Sequence, residues 1–103
     1  MCDQFLIGTF GAVAPEAMAC GTPVVMAFDA DLHAWCFPEL PPVVDARTPE
    51  QITSALRRLA EDDGERVRLG QLGREWVERH HGWRLVVDRH LEIYEQALEG
   101  VRR

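Results

Sequence analysis

The chain has 103 residues, enough for one small domain, and a domain of this size buries only about 60–65% of the surface its unfolded chain exposes. A hydrophobic content of 47% beside 27% charged residues is globular composition, not disorder. The net charge of −6, with Arg57-Arg58 and Arg102-Arg103 as isolated pairs, excludes a nucleic-acid groove or a basic membrane face, since both need clustered cations.

Three cysteines at irregular spacing do not form a disulfide framework. Cys20 and Cys36 are expected as small buried hydrophobes in a reducing compartment. Asp3 stands where a signal peptide would be basic and then apolar, and no apolar run approaches the ~20 residues that span a bilayer. The expectation is a soluble, cytoplasmic chain.

Phe5-Leu6-Ile7 is a short apolar run bounded by Gly8 and predicts a buried strand. Gly8-Thr9-Phe10-Gly11 then reads as a turn in which absent Cβ atoms let backbone N–H groups approach a ligand. Ala12 to Cys20 suits a helix provided that Pro15 lies in its first turn, and Gly21 ends it. Val24 to Ala27 is a second buried strand. A strand–turn–helix of this kind turns free N–H groups and the positive helix end toward whatever lies above the strands, an anion site in outline. A tight turn without a ligand fits the same spacing.

Phe28 to Leu40 reads as an irregular segment with an apolar underside, and Val43-Val44-Asp45 as a third strand. Thr48-Pro49-Glu50-Gln51 is a helix start: Thr48 caps, Pro49 suits the first helical position and Gln51 reaches back. Ile52, Ala55, Leu56 and Leu59 form one apolar stripe. Asp62-Asp63-Gly64 ends this helix, and Asp62 or Asp63 caps the next, which carries Val67, Leu69, Leu72, Trp76 and Val77. Gly70 and Gly73 inside it each cost about 1 kcal/mol relative to Ala, which a close packing contact would offset. After His80-His81-Gly82 a third helix begins near Trp83, with Val86, Val87, Leu91, Tyr94 and Leu98 on one face. The order strand–helix–strand, strand–helix predicts right-handed crossovers and a parallel sheet. The predicted class is α/β, three parallel strands followed by C-terminal helices.

Glu16-Ala-Met-Ala-Cys-Gly-Thr-Pro-Val-Val25 resembles the hallmark segment of family-four retaining glycosyltransferases of the GT-B fold. The similarity continues through Gly70-Gln-Leu-Gly-Arg74 to Tyr94, so it covers nearly the whole chain. It implies that residues 1–103 are the last three strands and terminal helices of a doubly wound, Rossmann-like, nucleotide-sugar-binding domain, with the N-terminal acceptor domain absent. In the family a motif Glu-x7-Glu runs through this segment. Glu16 falls on the second glutamate, which hydrogen-bonds the donor's ribose hydroxyls. The first, which meets the transferred sugar, falls on Gly8, and a branch resembling Asp3-Gln4…Gly8-x-x-Gly11 does without it. The resemblance makes Gly8, Thr9, Phe10, Gly11 and Ala12 the turn that binds the donor's phosphate and sugar.

Retaining transfer of this kind implies no agreed protein nucleophile, no metal and no cofactor beyond a nucleotide-diphosphate sugar as donor. The Lys and Arg that neutralise the diphosphate in the family come from an earlier segment; this chain has no lysine, and its arginines begin at Arg47. The implied partners are a nucleotide sugar and the missing N-terminal domain or a separate chain, and the isolated chain is expected to be inactive. The helix from Trp83 to Arg103 is expected to cross back to the missing domain, and Phe5–Ile7 to form an unpaired edge. Two rival readings are a nucleotide-sugar epimerase of the same fold and a non-catalytic subunit that completes a split enzyme.

Other candidates read as structure. Adjacent histidines point apart on a helix, so His80-His81 suits a helix end rather than a metal. His33 near Cys36 reads as incidental, and Asp29 and Asp31 as a polar loop. Trp76 and Trp83 lie on apolar stripes and read as core; Trp35 stays open.

Overall fold

The computed structural model describes residues 1–102, and side chains as far as Val101. Its elements run α1 (Val13–Ala19), β1 (Val25–Met26), α2 (Ala30–His33), β2 (Val44–Asp45), α3 (Pro49–Glu61), α4 (Asp63–His81) and α5 (Trp83–Arg102). The α/β class holds. Among the described residues the sheet has two strands, not three: β1 and β2 pair in parallel, Val25 opposite Val44 and Met26 opposite Asp45.

The expected first strand is displaced toward the N-terminus. The amide of Val25 donates to Met1 O, that of Asp3 to Val25 O and that of Ala27 to Gln4 O, at 2.8–3.0 Å, and Cys2 makes an isolated parallel bridge with Val25. Residues 1–4 therefore lie along β1, while Phe5-Leu6-Ile7 forms a bend with Leu6 97% exposed. The reason is local competition. The amides of Ile7 and Gly8 donate to the Gln4 side-chain oxygen instead of to a neighbouring strand.

Both faces of the sheet are covered, as in parallel sheets generally. Val24, Met26 and Phe28 alternate onto one face with Ala14 and Met18 of α1 and Trp76 of α4. Val25 faces the other side with Ala46 and with Ala55 and Leu59 of α3.

Local signals place the helix ends. Thr48 Oγ1 accepts from the Gln51 amide at 3.2 Å, and the Gln51 carboxamide accepts from the Thr48 amide at 3.3 Å, a complete capping box with Pro49 at the first position. Asp62 caps α4 through the amide of Glu65 at 3.0 Å. Gly21, at φ +74°, adopts the left-handed conformation that stops α1.

The buried face of α4 is made by Gly70, Gly73 and Trp76, with Leu69 and Val77 beside them, whereas Val67 and Leu72 are exposed. The glycines are what let α4 approach α1: a Cβ on Gly70 would lie 2.1 Å from Gly21 O, and one on Gly73 3.3 Å from Met18 Cγ. Leu56 likewise leaves the expected α3 stripe and is exposed.

Three expected core positions lie outside. Trp83 is 72% exposed, and Cys20 and Cys36 are free, exposed thiols. Cys20 is the cap of α1, Trp83 the first residue of α5, and Cys36 lies in the turn that follows α2; the core does not reach them. The helix α5 leaves the body of the fold. Residues 83–101 are all exposed, and the described chain extends 59 × 25 × 18 Å with a radius of gyration of 16.7 Å, against about 13 Å for a compact domain of this length. No helix of the described residues is long and apolar enough to cross a membrane.

Candidate functional site

The turn between residues 5 and 12 lies at the carboxyl edge of the sheet, where parallel α/β sheets bind their ligands. One carboxamide shapes its first half. Gln4 Oε1 accepts from the amides of Ile7 at 2.9 Å and Gly8 at 3.2 Å, while Gln4 Nε2 donates to Thr9 O at 2.9 Å and Ala27 O at 3.0 Å. Gly8 is buried at φ +77°, a conformation that strains any side chain, and its carbonyl accepts from the Asp29 amide at 3.1 Å. A glutamate at position 8 does not suit this backbone path.

His33 holds the second half. Its Nε2 accepts from the Phe10 amide at 3.1 Å, and its Nδ1 donates to Asp29 O at 2.7 Å. Of the predicted turn amides, that of Phe10 is therefore already engaged. Those of Gly11 and Ala12 have no acceptor among the described residues, and Thr9, Gly11 and Ala12 are exposed. The Phe10 ring turns inward against Phe28, Phe37 and Trp76, each edge-on at 5.6–6.1 Å.

Glu16 lies in the first turn of α1, exposed and without a hydrogen-bonding or ionic side-chain partner among the described residues. Thus the predicted residues Gly8, Thr9, Phe10, Gly11, Ala12 and Glu16 form one turn-and-helix unit, with Gly8 and Phe10 facing the fold and the others facing solvent. Across the same edge, Asp45 Oδ1 accepts from the Phe28 amide at 3.0 Å, and Arg47 Nη2 donates to Phe28 O at 2.8 Å. The Arg47 guanidinium also pairs with Asp45.

Sequence reasoning missed His33. It reads as incidental until Asp29 is seen to cap α2 through the Leu32 amide, a short helical turn that returns His33 to the Asp29 carbonyl. Gln4 was visible as part of a family pattern but not as a four-bond clamp.

A concave surface of about 480 Å³ lies between the Cys36–Pro38 segment and the junction of α4 with α5, and none of its lining residues belongs to the turn. His80 and His81 end α4, as the helix-end reading expects. His80 Nε2 lies 3.3 Å from Glu39 Oε2, and Arg79 pairs with the same carboxylate. The His80 contact and then the Arg79 charge hold Glu39 below the ordinary carboxylate value. Burial first, and the neighbouring His80 charge second, lower the pKa of His81. No group of three or more His, Cys, Asp or Glu side chains gathers at metal-binding spacing among the described residues.

Residues 14–92, which include Glu16, match the family model described as "Glycosyl transferase-like". The chain belongs to this glycosyltransferase-like family. It is 39% identical over 90 residues to a D-inositol 3-phosphate glycosyltransferase of Xylanimonas cellulosilytica, covering 86% of this chain and 21% of that protein. It is 38% identical over 95 residues to D-inositol 3-phosphate glycosyltransferase 1 of Catenulispora acidiphila, covering 91% and 22%. A Thermomonospora curvata protein of the same name is 38% identical over 94 residues, covering 90% and 22%. The chain thus spans about a fifth of the length of these curated relatives. No solved structure gives a significant match.

Proposed function

We propose that this glycosyltransferase-like chain is the donor-binding part of a retaining glycosyltransferase that uses a nucleoside-diphosphate sugar without a metal. The observation that carries the reading is Glu16. Among the described residues it stands exposed and without a side-chain partner, one helical turn beyond the free amides of Gly11 and Ala12. A carboxylate in a first turn beside free N–H groups suits a ligand that presents hydroxyls to the one and an anion to the others. Glu16 accepts the ribose hydroxyls, and the Gly11 and Ala12 amides, with the Thr9 hydroxyl, receive the diphosphate.

The protein's part in transfer is to orient the donor and stabilise the charge that develops on the departing diphosphate. No side chain of the turn is a nucleophile or general base. Arg47 is tied to Asp45 and Phe28 O, so the remaining neutralising charge and the acceptor site come from sequence outside this chain or from a partner chain. The 103 residues alone do not turn over. Transferase names among the relatives favour this reading over an epimerase.

Calorimetric titration of the native product carrying these residues with uridine and guanosine diphosphates tests it. Binding of one of them that Glu16→Gln weakens supports the reading; binding indifferent to that substitution overturns it.

A further inference from the structure

We propose that His33 is a positioning residue for the donor-phosphate turn, a role that rests on the donor-binding reading above. Its two ring nitrogens have partners that cannot exchange roles. Asp29 O can only accept and the Phe10 amide can only donate, so the ring is neutral, with its proton on Nδ1 and its lone pair on Nε2. The tautomer is assigned by these partners.

The ring is held as firmly as it is bonded. It is buried, stacked on Phe28 at 4.6 Å and 22°, and lies 6.0 Å from Phe37 with the planes 8° apart. Drawing the Phe10 amide inward decides which amides follow it outward. With Phe10 N–H bonded to His33 and the Phe10 ring packed against Trp76, the next amides in the chain, Gly11 and Ala12, are left without acceptors among the described residues. Gln4 clamps the Ile7–Thr9 side of the same turn. His33 reaches it from beyond β1 and so joins the two loops at the carboxyl edge. Without that bond, the Phe10 peptide is free to rotate, and the backbone path that leaves the Gly11 and Ala12 amides without acceptors among the described residues is no longer fixed.

The test compares His33→Phe, which keeps an aromatic ring between Phe28 and Phe37 but has no acceptor, with His33→Gln, which restores an acceptor near Nε2. Both are made in the native product carrying these residues. Amide hydrogen exchange at Phe10 and titration with uridine and guanosine diphosphates are the two readouts. In His33→Phe, exchange at Phe10 should quicken at least tenfold and diphosphate affinity fall about tenfold, the size expected for one lost hydrogen bond. His33→Gln should recover most of both.

Unchanged exchange in His33→Phe overturns the positioning role, as does faster exchange with unmoved affinity. If the unsubstituted protein binds neither diphosphate, the donor reading fails and takes this role with it. If it binds and His33→Phe binds equally well, only the role of His33 fails. Should His33→Phe not fold, His33→Gln decides: retained affinity with a protected Phe10 amide supports the role, and lost affinity with that amide still protected overturns it.

Discussion

Gly70 of α4 lies so close to Gly21, the residue that stops α1, that a Cβ on Gly70 would meet the Gly21 carbonyl oxygen at 2.1 Å. The hallmark segment is thus seated by a glycine some fifty positions away in the chain. Gly70→Ala gains up to ~1 kcal/mol of helix propensity, but the backbone clash costs ~1–3 kcal/mol. Urea unfolding should show a net loss of stability. Gly100→Ala, where an added Cβ meets nothing within 4 Å among the described residues, should show none.

Glu16→Gln should lower stability by no more than the ~0.3–1 kcal/mol of a first-turn charge at a helix N-terminus, because the exposed carboxylate has no hydrogen-bonding or ionic side-chain partner among the described residues. Under the proposed donor-binding role, diphosphate affinity should fall about tenfold or more, as when a hydrogen bond to a charged group is removed. Thermal melts beside diphosphate titration separate the two effects.

Trp76 donates its indole N–H to Glu39 O at 2.8 Å from a fully buried ring. Trp76→Phe should destabilise the fold by ~1–3 kcal/mol through the unsatisfied carbonyl and lost volume. The blue-shifted component of the fluorescence should disappear with it, since Trp35 and Trp83 are exposed.

His81 has its pKa lowered from 6.5, by burial and then by the His80 charge. The unfolded chain therefore binds this proton more readily than the folded one. The stability contributed is full above pH 6.5 and is lost as pH falls from 6.5 through the lowered folded value. Thermal melts between pH 7.5 and 5 should show a falling midpoint, and His81→Gln should flatten that part of the profile. Glu39 acts in the same direction at lower pH. Its stability is present above 4.5 and is lost as the pH drops through its lowered value.

Limited proteolysis of this chain should cut first near His81–Gly82, releasing α5, because residues 83–101 are exposed throughout. Mass spectrometry of the first fragments checks this. A C-terminus as resistant as α3 would contradict it.

Features whose partners lie within a few residues were legible in the sequence: the Thr48–Gln51 capping box, an aspartate cap at Asp62 or Asp63, the Gly21 stop and the glycine turn itself. Each is a local exchange of hydrogen bonds or a backbone angle that few residues adopt. The membership of α4's buried face was not legible. Gly70 and Gly73 carry no hydrophobic signal, yet they form the contact with α1, while Val67 and Leu72 carry the signal and remain outside. The Phe5–Ile7 strand failed for a related reason, since the side chain of Gln4 outcompetes a strand partner for the Ile7 and Gly8 amides.

The amino-acid order by itself determined the α/β class, the helix ends, the family resemblance and the position of Glu16, because periodicity, caps and a motif are all read along the chain. Only the tertiary structure decided which amides of the turn remain free. That depends on Gln4 reaching Ala27 and on His33 reaching Phe10, each across twenty-three positions. Such contacts exist only once β1 has brought two loops to one edge, so their geometry follows from packing and leaves no trace in local sequence.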